Sequence, residues 1–190
     1  AFYTIAIVTM IPFVKVYTAN IEDSASYIMP LFGALLIVGE LVYCIRLPYY
    51  YTITNAGHFK QITKSAYIEA GLNIIISLCL VFSTGLVGLA IGSGVATTYR
   101  TVYLIRYCSK NITKINLGTT LKRILLFAIT AVIAVVSVSF VSYTPDNFLQ
   151  WVVYAGFVGV FVVALLGCIS LLACRNDVKT LLQKLKNVVR

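Results

Sequence analysis

Long apolar stretches, each interrupted by few polar residues, follow one another along the whole chain. Each approaches the ~20 residues with which a helix crosses a hydrocarbon core about 30 Å thick. Strands of a membrane barrel would be about ten residues long with alternating polarity, whereas these stretches are apolar on every face. The pattern predicts an all-α, polytopic membrane helix bundle with six spans, at about residues 2–18, 27–46, 66–82, 86–107, 124–141 and 148–174.

The connections between these spans are short and polar. The second span is expected to close near Arg46, because Pro48 disfavours helix at the preceding residue, and a polar connection over residues 52–65 follows. The turn before the fourth span, at Gly85, is so short that spans three and four must lie antiparallel. Residues 175–190 form a basic tail with apolar positions at helical spacing, which predicts an amphipathic helix on the membrane surface.

Composition and charge support a membrane location and predict an orientation. The chain is 60% hydrophobic and 11% charged, with a mean hydropathy of +0.94, which excludes an ordinary soluble domain. Of its 15 Lys and Arg residues, all but Lys15 and Arg100 lie in or beside the even-numbered connections and the tail. The positive-inside rule then places these connections and the carboxyl terminus in the cytoplasm, so the net charge of +9 requires no nucleic-acid partner.

Few residues are suited to metal, cofactor or covalent chemistry. The single His and the five Cys form no ligand spacing, so no metal and no cofactor is expected. No phosphate-binding GxxxxGK[ST] loop and no GxSxG nucleophile motif occurs in the sequence. The chain is therefore expected not to be an enzyme.

Polar residues at membrane depth are the candidates for function, since each costs a few kcal/mol if it faces lipid. Lys15 and Arg100 either extend towards the interface or line a polar cavity. Glu40 lies roughly 9 Å below the interface, where a carboxylate is expected to be paired, protonated or in contact with water. Asn73 lies one turn from Glu69 on the same helix face, a spacing that favours hydrogen bonding to a neighbouring helix.

A row of small residues begins the fourth span. Gly88, Gly92 and Ala96 recur at four-residue spacing, with Gly85 three residues before them, and such a row lets another helix backbone approach closely. These four positions are predicted to serve helix packing.

Three segments carry a resemblance to a known family. They are LPYYYTITNAGHFKQ at 47–61, AYIEAGLNIIIS at 66–77 and GLVGLAIG at 85–92. Together they resemble the carboxyl-terminal lobe of polysaccharide-biosynthesis flippases, of the multidrug/oligosaccharidyl-lipid/polysaccharide exporter superfamily. The chain also begins inside an apolar run without Met, so it is expected to be the carboxyl-terminal part of a longer protein.

The resemblance implies one lobe of a two-lobe, alternating-access transporter in a bacterial inner membrane. Its substrate would be an oligosaccharide linked to undecaprenyl diphosphate, moved from the cytoplasmic to the outer leaflet. Lys15, Arg100 and Asn73 would line the cavity, with the cations pairing with the diphosphate, and Glu40 would relay a proton or cation. Implied partners are the amino-terminal lobe, membrane lipids and glycan-assembly proteins.

Other functions share parts of this pattern. A drug/cation antiporter of the same superfamily would favour acids over bases in the cavity, and a peptidoglycan-precursor flippase would share the plan of spans. A membrane glycan polymerase or acyltransferase would need a larger outer loop or a catalytic His/Asp/Arg set, and a membrane scaffold would need neither.

Overall fold

The computed structural model describes residues 1–19, 29–114, 117–139, 145 and 147–173. Within them the helices are α1 (Phe2–Tyr17), α2 (Pro30–Asn55), α3 (Phe59–Thr84), α4 (Leu86–Cys108), α5 (Leu117–Ser139) and α6 (Phe148–Ala173). Helix α4 continues directly into a π-helical turn, Ser109–Thr113, which ends at Lys114 with a left-handed φ of 52°. The predicted all-helical class is confirmed for the described residues.

Length and composition suit three of these helices to a membrane. They are α2, α3 and the segment Phe148–Ile169 of α6, whereas α1 and Ile124–Val138 of α5 are shorter apolar helices. Six spans therefore remain a prediction. The tail at 175–190 lies outside the described residues.

Large apolar side chains point outward from the helices. Phe82 is 88% exposed, Phe157 74% and Leu149 76%. Exposed apolar surface of this extent is unfavourable in water and is typical of helices that face lipid. The outward apolar faces and the long apolar helices together indicate a membrane protein.

The connection between α2 and α3 is shorter than the sequence pattern predicts. Helix α2 does not end near Arg46 but continues through Pro48 to Asn55, and α3 begins at Phe59 rather than near residue 66. A proline in a membrane helix is tolerated where neighbouring groups compensate for its missing N–H. Beyond Pro48, the Thr52 hydroxyl donates to the Pro48 carbonyl at 2.8 Å, a bond that does not replace the missing N–H. Polar residues of the predicted loop thus extend both helices.

The chain divides into two compact units, and α2, α3 and α4 all belong to the central unit, Glu22–Ile124. There α4 packs along α3 and also against α2. One cluster of its core, surrounded by partly buried tyrosines, consists of Ile53, Ile62, Leu104 and Cys108. Helix α4 is therefore the central helix of this unit.

The terminal unit consists of Ala1–Ile21 and Leu125–Arg190. Helix α1 packs on α6, and the Trp151 indole N–H donates to the Thr9 carbonyl at 3.1 Å. The Trp151 ring also lies 4.9 Å from that of Phe13, measured between centroids. Its buried apolar residues come from α5 and α6: Ala134, Val138, Val158 and Val162.

Glycine allows α3 and α4 to form a tight antiparallel pair. Gly85 alone separates the two helices, with φ 59° and ψ −135°, a conformation that is essentially restricted to glycine. Further along α4, a Cβ at Gly92 would lie 2.7 Å from the backbone nitrogen of Ser77, and one at Gly88 would lie 2.5 Å from the Leu80 carbonyl oxygen. The two backbones therefore approach as closely as glycine permits.

Gly92→Ala is expected to force α3 and α4 apart and to lower the free energy of unfolding by about 1–3 kcal/mol, as overpacking does. The matched control is Gly94→Ala, because a Cβ at Gly94 meets nothing within 4 Å. Thermal melting of both variants in detergent measures the difference. Equal melting temperatures would contradict the close approach at Gly92.

Candidate functional site

A cluster of three charged side chains joins three helices of the central unit. The Glu69 carboxylate, on α3, accepts from Arg46 of α2 through Oε1 at 2.7 Å. Its other oxygen, Oε2, accepts from Arg100 of α4 at 2.6 Å. Each arginine uses its Nη1 for this contact, so one carboxylate connects α2, α3 and α4. We call Arg46, Glu69 and Arg100 the ion triad.

The ion triad is largely removed from solvent. The side chains of Arg46, Glu69 and Arg100 are 7%, 18% and 12% exposed. Two guanidinium groups face one carboxylate, which leaves one net positive charge in the cluster. The Nε of Arg100 is buried and has no hydrogen-bond partner among the described residues. Such an unpaired buried N–H costs free energy. The net positive charge of the cluster favours interaction with an anion.

The triad lies at one level of the bundle. Arg46, Glu69 and Arg100 are each about eight to ten residues, or roughly 12–15 Å, from the end of their helix that is predicted to face the cytoplasm. An ionised group at that depth is expected to pair with another charge or to face a wet cavity. In this chain the three groups pair with one another.

A polar seam continues from the triad between α3 and α4. One turn beyond Glu69, the Asn73 Oδ1 accepts from the hydroxyl of Ser93, on α4, at 3.1 Å and from that of Ser77 at 2.9 Å. One turn further, Ser77 lies against Gly92. Residues four apart on α3 thus meet α4 in antiparallel order, and the tight turn at Gly85 sets this register.

One contact within α2 and one between α2 and α4 accompany the ion triad. The Arg46 guanidinium lies 4.6 Å from the centroid of the Tyr43 ring, one turn earlier on α2. The Thr101 hydroxyl donates to the Thr97 carbonyl at 2.8 Å and lies 3.3 Å from the Val42 carbonyl oxygen. The aromatic face and the carboxylate together hold the Arg46 side chain in place.

The structure brings two of the four predicted cavity residues together. Arg100 and Asn73 lie on the α3–α4 seam, where Arg100 is paired with Glu69 and Asn73 is bonded to two serines. Glu40 is exposed on α2. Lys15 is exposed on α1, in the terminal unit.

The small residues of α4 take different positions. Gly88, Gly92 and Ala96 are buried, and both glycines lie against α3. Gly85 forms the turn, and a Cβ there would meet nothing within 4 Å. Its role follows from its positive φ rather than from a close neighbour.

Neither Arg46 nor Glu69 is among the predicted cavity residues, and the sequence predicts for Glu69 only hydrogen bonding to a neighbouring helix. Arg46 lies at the predicted end of span two, where it is a topology signal, because Pro48 predicts that the helix closes there. In the structure Arg46 is well inside α2 and 6% exposed. The available signal was electrostatic: a carboxylate and an arginine inside neighbouring apolar helices require partners.

Glu69→Gln is expected to be the most destabilising single change in the triad, because it leaves two arginines buried beside a neutral amide. Removing one partner of a buried ion pair typically costs about 3–5 kcal/mol. The matched control is Glu40→Gln, which neutralises an exposed carboxylate on α2. The melting temperatures of the two purified variants are compared. An equal decrease in both would show that the triad does not stabilise the bundle.

No group of three or more His, Cys, Asp or Glu side chains suited to a metal ion occurs within the described ranges. The chain matches no family, no curated protein and no solved structure in comparisons with known proteins.

Proposed function

We propose that this chain is part of a membrane transporter, one lobe of a two-lobe protein that moves a lipid-linked oligosaccharide from the cytoplasmic to the outer leaflet. The proposed substrate carries a diphosphate between its lipid and its glycan. Alternating access of a cavity shared with a second lobe would provide the route. The proposed location is a bacterial inner membrane with the carboxyl terminus in the cytoplasm.

The observation that carries this proposal is the excess positive charge of the ion triad. Arg46 and Arg100 contribute two positive charges against one from Glu69, and all three side chains are at least four-fifths buried. An anionic head group that approached this cluster would meet guanidinium donors in a region of low dielectric, where charge-assisted hydrogen bonds are strong. Guanidinium groups also match the geometry of phosphate oxygens.

The polar seam supports movement of the helices around this charge. Ser77 and Ser93 both donate to Asn73, and the Ser93 bond joins α4 to α3. Such bonds between membrane helices are individually weak, about 0.6–2 kcal/mol each. Bonds of this strength can be replaced one at a time by contacts with substrate hydroxyl groups. A glycan would offer such hydroxyl groups beside its diphosphate.

The triad disfavours a drug/cation antiporter of the same superfamily. Exchange of a proton for a cation needs a carboxylate that is available to the exchanged ions, and both oxygens of Glu69 are occupied by arginines. Glu40 is the remaining candidate in α2, and it is exposed. A cluster with net positive charge repels a cationic substrate.

Deletion of the full-length gene in its native host is expected to abolish surface polysaccharide and to accumulate lipid-linked oligosaccharide in the cytoplasmic leaflet. Gel analysis of surface glycan and lectin accessibility of the lipid-linked intermediate measure both effects. Unchanged glycan together with increased drug sensitivity would overturn the flippase proposal and support the antiporter.

Arg46→Gln and Arg100→Gln each remove the excess charge but leave Glu69 paired with one arginine. In the full-length protein each variant is expected to reduce glycan export at least tenfold while the protein level stays normal. The matched control, Lys60→Gln, removes one exposed positive charge at the start of α3 without touching the triad. Normal export in both triad variants would contradict a role for the excess charge.

A further inference from the structure

We propose that the outer face of α4, with the π-helical turn that follows it, binds an anionic phospholipid of the cytoplasmic leaflet. This site is separate from the ion triad and does not depend on the proposed transport. A cavity of about 550 Å³ lies along this face, with residues of α4 and the turn lining it.

Two unpaired cations stand at one end of the cavity. Arg106 and Lys110 both line it, both are exposed, and they are one helical turn apart. The ion pairs among the described residues are those of the triad, so neither cation has an acidic partner there. Residues 86–113 contain no Asp or Glu, which leaves this face uniformly positive. The charge complementarity favours an anionic occupant.

The remainder of the lining suits the apolar part of a lipid. Tyr99, Val102 and Tyr103 line the cavity towards the predicted membrane interior, and Val102 is 41% exposed. The distance along the helix axis from Tyr99 to Lys110 is about 16 Å, enough for a head group, a glycerol unit and the first part of an acyl chain. The cavity is therefore cationic at one end and apolar at the other, as an amphiphile requires.

Contacts among neighbouring side chains stabilise the polar end of the cavity. The Tyr103 and Tyr107 rings are stacked with centroids 6.3 Å apart, and the Tyr107 hydroxyl lies 2.6 Å from Nδ1 of His58. The Asn111 amide donates to the Tyr107 carbonyl at 3.0 Å, which leaves its own carbonyl oxygen free to accept from a glycerol hydroxyl. These contacts hold Tyr107 in place in the cavity lining between Arg106 and Lys110.

The predicted orientation of the chain in the membrane favours a phospholipid head group over a soluble phosphate as the anion in this cavity. The end of α4 is expected to meet the cytoplasm, where anionic lipids concentrate and where basic clusters beside membrane helices bind their head groups. A phosphodiester held between Arg106 and Lys110 would have its acyl chains beside Val102, within the bilayer. A soluble phosphate would use the cations but leave the apolar part of the cavity empty.

The test is a lipid titration of the purified full-length protein in detergent, with bound phosphatidylglycerol measured by native mass spectrometry. Each cation near anionic lipid is worth about fivefold in affinity, so Arg106→Gln combined with Lys110→Gln is expected to weaken binding about 30-fold. The matched control is Lys60→Gln combined with Lys64→Gln, which removes two exposed cations at the same spacing from the start of α3. This control is expected to change binding less than threefold.

A third variant, Val102→Trp, fills the apolar part of the cavity and keeps both cations. This substitution is expected to reduce phosphatidylglycerol binding at least fivefold. If the two cations alone determined binding, the affinity for phosphatidylglycerol would not change. Phosphatidylcholine is expected to bind weakly, and millimolar inorganic phosphate is expected not to displace the lipid. Three results would each overturn the proposal. The two double variants could lose phosphatidylglycerol affinity equally, phosphatidylcholine could bind as tightly as phosphatidylglycerol, or inorganic phosphate could displace the lipid.

Discussion

One carboxylate determines how the central unit is arranged. Glu69 accepts from Arg46 on one side and from Arg100 on the other, at 2.7 and 2.6 Å, so α2, α3 and α4 meet at a single anion. Two guanidinium groups among apolar helices would repel each other without it, at a cost of several kcal/mol. The close approach of α3 and α4 along Gly88 and Gly92 brings the partners within reach and excludes lipid from between them.

The ion triad contains charge that holds the helices together and charge that remains for a ligand. Arg100 was predicted to line a cavity, and in the structure it is paired with Glu69, which lies one turn from Asn73 and its bond to α4. What remains for a ligand is the excess of one positive charge and one unpartnered N–H of Arg100. A transporter that used this charge would couple binding of an anion to the contacts that hold three helices together, which is one physical basis for alternating access.

Several features could be predicted from the sequence because local patterns determine them. Apolar runs of about 20 residues predict helices, and Gly85 predicts the sharp turn between α3 and α4. The triad was not predicted, because pairing between residues 23 and 31 positions apart depends on which helix faces meet. The helical course through Pro48 was missed for the same reason, since compensation for a missing N–H depends on neighbours that a proline rule does not include.

The measurement that tests the role of Glu69 most directly is the stability of Arg46→Gln/Glu69→Gln/Arg100→Gln beside that of Glu69→Gln alone. If charge compensation holds the three helices together, the triple variant has no unpaired buried charge and should melt higher than the single variant, although it carries more substitutions. A triple variant that melts at the same temperature as Glu69→Gln, or lower, would contradict the central role of the triad.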